Sequence, residues 1–63
     1  MSWFTLEDKM PKEGEMIIVY FEMYYYPEAA IYNETEYGPQ FWVIHDNEIE
    51  YPEKVLKWMS IPK

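Results

Sequence analysis

The chain has 63 residues, 49% of them apolar, with 12 acidic side chains against 5 lysines, no arginine and a formal net charge of -7. That length holds one domain, residues 1–63, able to bury only about 60% of the surface its unfolded chain exposes. The shortage of positive charge argues against direct nucleic-acid binding and against docking on an anionic membrane, and the lack of cysteine removes disulfides and thiolate chemistry together.

Trp3–Leu6 is a short apolar patch with no basic leader before it. The longest apolar stretch, Met16–Phe21, is far below the roughly 20 residues of a membrane-spanning helix. A soluble, cytoplasmic protein is the expectation. Glu7–Gly14 gathers charge, proline and glycine, the composition of a loop. Glu15–Met23 is the clearest strand, with Ile17, Ile18, Val19, Tyr20 and Phe21 apolar on both faces, as in a central strand. Tyr24, Tyr25 and Tyr26 follow, and Pro27 ends regular pairing. Ala29–Tyr32 reads as a second strand.

Asn33–Gln40 reads as a polar loop, with Gly38-Pro39 marking a sharp change of direction. Phe41–His45 is β-rich again. Asp46-Asn47 suits a tight turn, with Glu48–Tyr51 returning as a fourth strand. After Pro52-Glu53, the run Lys54–Ile61 alternates as a strand does, but it also reads as two helical turns. The expected fold is all-β: a small antiparallel meander or partly closed barrel of about five short strands.

Both ends carry a recognisable pattern. Trp3-Phe4-Thr5-Leu6-Glu7-Asp8-Lys9-Met10-Pro11-Lys12-Glu13-Gly14-Glu15, running into Met16–Tyr20, resembles the opening of a small phage and prophage family catalogued as domain of unknown function 551. Val55-Leu56-Lys57-Trp58-Met59-Ser60-Ile61-Pro62 is similar to the same family's C-terminal Val-Thr-His-Trp-Met-Pro-Leu-Pro signature. Lys57 stands where the family tends to have His, and Ser60 where it tends to have Pro. The likeness covers somewhat under half of the chain. It implies a phage or prophage origin, hence the cytoplasm of a host cell, and implies no activity. Pro11 and Gly14 shape a loop in this reading. Trp3 and Trp58 fill the core, each burying on the order of 200 Å².

Catalytic chemistry has little to stand on. The one histidine, His45, adjoins Asp46, but Ser2, Thr5, Thr35 and Ser60 lie in no nucleophile motif. No metal-ligand spacing or phosphate-cradling glycine loop is present, so neither enzyme, metal site nor cofactor is expected. Lys54 and Lys57 are the cations available to an anionic ligand such as a nucleotide, a sponge-like role that the overall charge disfavours.

The acidic residues carry the remaining signal. Along an extended strand, alternate side chains share a face at about 6.6 Å intervals. Glu34/Glu36 and Glu48/Glu50 have that spacing, as does Glu13/Glu15, and such rows can imitate nucleic-acid phosphates toward a basic cleft. An acidic surface that only keeps the protein soluble is the plainer explanation. Of three consecutive tyrosines on a strand, not all can point inward, and exposed tyrosines are favoured interface anchors. The expectation is a protein that binds protein: an inhibitor or modulator of a host nucleic-acid-handling or defence protein with a basic surface. Glu34, Glu36, Glu48 and Glu50 supply charge and Tyr25 and Tyr37 anchor it. A homo-oligomeric structural or assembly protein and the nucleotide sponge are the alternatives.

Overall fold

A computed structural model describes residues 2–61. Five strands form one antiparallel sheet: β1 (Met16–Phe21), β2 (Glu28–Thr35), β3 (Gly38–Val43), β4 (Glu48–Glu50) and β5 (Val55–Ser60), in the order β4-β3-β2-β1-β5. The last segment is a strand, and the helical tendency read there is confined to a 3-10 turn at Pro52–Lys54. Proline at the start of that turn presets its φ. Pro62 of the C-terminal signature lies outside the described residues.

Asn33–Gln40 is not a loop. β2 continues to Thr35 and β3 begins at Gly38, leaving Glu36 and Tyr37 as a two-residue turn. Gly38 takes the positive φ (106°) that closes this hairpin, and the Thr35 hydroxyl braces it, accepting from Tyr37 N–H and donating to the Gly38 carbonyl. The other expected turn is wider than Asp46-Asn47: β3 ends at Val43, short of the expected His45, and residues 44–47 make the turn, with Asn47 at φ 53°.

Alternation sorts the strands into two faces. Ile17, Val19 and Phe21 of β1 face Ala30 and Tyr32 of β2, Phe41 and Val43 of β3, and Trp58 of β5; all eight are essentially buried. Aromatic rings dominate this core: Tyr32 and Phe41 lie 5.2 Å apart, and Phe21 and Phe41 meet edge-on at 6.3 Å.

The curl of the sheet follows from its shortest connection. Flat, a five-stranded sheet would hold β4 and β5 about 19 Å apart, four spacings of about 4.8 Å. Only residues 51–54 join Glu50 to Val55, and three of them are coiled in the 3-10 turn at about 2 Å rise each. So short a link forces the edges toward each other and wraps the sheet around the core. β4 and β5 do not pair, and the sheet stays open. The 5–14 segment covers the concave side, where Pro11 is buried and Leu6 packs on the core. Phe4 pairs with Trp58 as an isolated bridge, its ring 5.3 Å from the indole.

Trp3 departs from expectation. Next to Phe4 in an extended segment, it falls on the opposite side and is 38% exposed. There the Lys57 ammonium lies 5.0 Å from its ring and 5.6 Å from that of Tyr20. Trp58 alone of the two is core.

Candidate functional site

The six residues singled out by sequence do not form one patch. β2 carries the β1–β2 loop at one end and the Glu36-Tyr37 turn at the other, separated by about 23 Å for seven residue steps. Tyr25 occupies the first and Tyr37 the second; both are largely exposed, but they stand at opposite ends of the sheet. The three tyrosines lie in a loop rather than on a strand. Tyr24 turns inward and meets Phe21 edge-on at 5.5 Å, whereas Tyr25 and Tyr26 are left in solvent.

The carboxylate rows divide in the same way. Glu36 sits in the tight turn and Glu34 at the end of β2, so the two do not alternate on one extended strand. The Glu13 carboxylate accepts the Glu34 backbone N–H, bringing two acidic residues together at this end. Glu13 and Glu15 flank Gly14, whose φ of 78° breaks the extended spacing assumed for them. Glu15 instead braces its own loop, accepting from Lys12 N–H at 2.9 Å and from the Ser60 hydroxyl at 3.1 Å.

Glu48 and Glu50 do alternate. They lie on β4 opposite Val43 and Phe41, on the core-facing side of the sheet and beyond the edge of its apolar packing. Asp46, in the preceding turn, adds its charge to theirs at the Tyr24 hydroxyl. Burial against the core raises the Tyr24 phenol most, and the negative charges of Glu50, Asp46 and Glu48 add to it, pushing it up to about 12. Sequence reading passed over Tyr24 as a member of this group. Its hint is the distance from Pro27, which leaves Tyr24 nearest the end of β1.

Among the described residues the ion pair is Lys54–Glu22, at 3.7 Å, and no cation stands within 4.0 Å of Asp46, Glu48 or Glu50. Lys54 is thus turned to Glu22 and Lys57 to its two aromatic rings, so the two lysines are not combined into an anion site. A shallow open groove of about 450 Å³, lined by Lys12, Glu15, Met16 and Ile61, sets one lysine beside a carboxylate. His45 is exposed in the β3–β4 turn. Among the described residues no three acidic or histidine side chains converge to hold a metal ion.

On the far face of the sheet Met59 of β5 is buried, but toward β3 and β4 the face is apolar and exposed. Trp42 (37% exposed) lies across from Ile49 (44%) and Ile31, and Met16 (48%) across from Ile31. The Trp42 indole N–H donates to Asn47 Oδ1 at 3.0 Å, tying this face to the β3–β4 turn. The pattern that betrays it is Ile49 between two glutamates, opposite Trp42 between two buried partners.

Compared with protein-family models, curated proteins and solved structures, the chain matches none.

Proposed function

We propose that this protein acts by binding another protein, without catalysis, and that its counterpart carries a basic surface. Asp46, Glu48 and Glu50, gathered along one edge with no positive partner within 4.0 Å among the described residues, carry this reading. Charge left uncompensated in the free protein is available to a cationic partner, speeding encounter and selecting against acidic surfaces. The finer form is a small acidic accessory protein of phage type, in the host-cell cytoplasm, that occupies a basic surface of a nucleic-acid-handling or defence protein. The net charge of -7 and the likeness of both chain ends to the phage and prophage family support it.

Capture from a host lysate with the tagged protein, followed by a salt series on the captured complex, tests the reading. A basic partner whose affinity falls about tenfold or more on raising salt to about 0.5 M is expected, because exposed charges are screened over a few ångströms there. The double variant Glu48→Lys/Glu50→Lys is expected to lose the complex. Binding that ignores both salt and these substitutions overturns the proposal.

The exposed row of Trp42, Ile49 and Met16 favours a second reading, a homo-oligomer that covers this face. Light scattering at micromolar concentration decides it: a single monomeric species rejects self-association.

A further inference from the structure

Backbone hydrogen bonds alternate sides along an antiparallel strand. Across the β2–β3 ladder, Ile44 N–H donates to the Ala29 carbonyl at 3.2 Å. Ala30 and Val43, the pair just inside, therefore exchange no hydrogen bonds, and Val43 turns its N–H and C=O toward Glu48 of β4. Trp42, one residue away, turns its own toward β2. Ile49, opposite Trp42, consequently directs both its N–H and its C=O away from β3. The Tyr32 N–H, which donates to the Glu15 carbonyl on the β1 side, gives the same alternation from the other direction. β4 is the terminal strand of the order, so among the described residues the Ile49 donor and acceptor face an unpaired edge.

We propose that this edge takes up an extended segment of the basic partner as an added strand, in the register basic–apolar–basic. The inference rests on the protein-binding reading above and specifies what is bound. The partner residue opposite Ile49 exchanges two backbone hydrogen bonds with it, and its side chain falls on the far face beside Ile49 and Trp42. An apolar side chain fits there. The residues before and after it project to the other face, their Cβ atoms about 4.5–5.5 Å from those of Glu48 and Glu50. Lysine or arginine fits at both. Asp46 adds charge at the same edge.

A second copy of this chain is a poor occupant. Two β4 strands paired antiparallel about Ile49 would set Glu48 of each against Glu50 of the other, and directly opposed like charges are destabilising. The glutamates thus bar the edge to self-pairing while leaving it open to a cationic strand.

The test uses the intact protein and a synthetic peptide in which arginine and valine alternate, followed by NMR titration. Shifts centred on residues 48–50 and slowed amide exchange at Ile49 are expected. Affinity is expected to exceed by about tenfold that of a peptide of equal composition with its arginines and valines in separate blocks. Methylating the valine nitrogens, which removes the donors aimed at Ile49, should abolish binding, whereas methylating the arginine nitrogens should preserve it. The variant Glu48→Gln/Glu50→Gln should bind about tenfold more weakly. Equal binding of the blocked peptide, indifference to valine methylation, shifts elsewhere or no binding overturns the proposal. If the peptide fails while a captured basic protein still binds with steep salt dependence, edge pairing falls and the broader reading stands. If both fail, both fall.

Discussion

The indole N–H of Trp58 donates to the carbonyl oxygen of Lys9 at 2.8 Å, across 49 residues of chain. Phe4 also exchanges backbone hydrogen bonds with Trp58, at 2.7 and 2.8 Å, so one side chain and its own backbone fix the N-terminal segment over the core. Replacing Trp58 with Phe leaves the Lys9 carbonyl unmet and a void beside Phe4. A loss of about 2–3 kcal/mol is expected, from a domain whose total is roughly 3–9 kcal/mol. Urea denaturation followed by far-ultraviolet circular dichroism measures it; a loss below about 1 kcal/mol would remove Trp58 from this role.

Tyr24 gives the acidic edge a readout in the free protein. Its ring resonances, followed by NMR through alkaline pH, are expected to titrate near 12, above the ordinary 10.0. Since the folded value lies above the unfolded one, the native state holds the proton more tightly. The resulting stability is complete below about pH 10 and is lost as pH rises toward 12. Tyr32, raised by burial and then by Glu34 and Glu13, acts in the same direction. Glu50→Gln should lower the Tyr24 value; no change would separate the two groups.

Gly38 is held at φ 106° with open space where a Cβ would stand. Gly38→Ala therefore meets no clash, only backbone strain, and a cost of about 1–2 kcal/mol is expected. A neutral effect in thermal unfolding would mean that the Glu36-Tyr37 turn relaxes freely.

Lys57 is expected to be structural through its two rings. Lys57→Met keeps the stem and removes the charge, with a loss of about 0.5–1.5 kcal/mol for two partly exposed cation–π contacts. Trp3 emission should shift to the red as its ring gains solvent. Unchanged emission would show that the ammonium does not hold Trp3.

The strands most visible in the sequence are those whose side chains meet the core. Ile17, Val19 and Phe21 announce β1, and the Asp46-Asn47 turn announces the β3–β4 hairpin. The stretch 33–40 was opaque because both strands there run past the core, so their side chains are polar and the period of two vanishes. Pro39 compounds this by reading as a breaker. In the observed alternation its missing N–H points away from β2, beyond the end of β4, so no ladder bond is lost. The candidate site was half legible for a related reason. Spacing of two was enough to put Glu48 and Glu50 on one face. Placing Tyr25 and Tyr37 together needed the length and direction of β2, which no local pattern supplies.

The pairing of β1 with β5 also governs how the domain assembles. The hairpins β2–β3 and β3–β4 close over short turns, but Ile18 meets Met59, and Val19 meets Trp58, only when the ends of the chain come together. Closing so long a loop is entropically uphill until the core side chains of both strands are in place. Folding is therefore expected on roughly the millisecond-to-second scale of sheets built from non-local contacts, not the microseconds of small helical bundles. A growing or truncated chain that lacks β5 leaves one edge of β1 bare, and Val19 without Trp58, so native order arrives late and all at once.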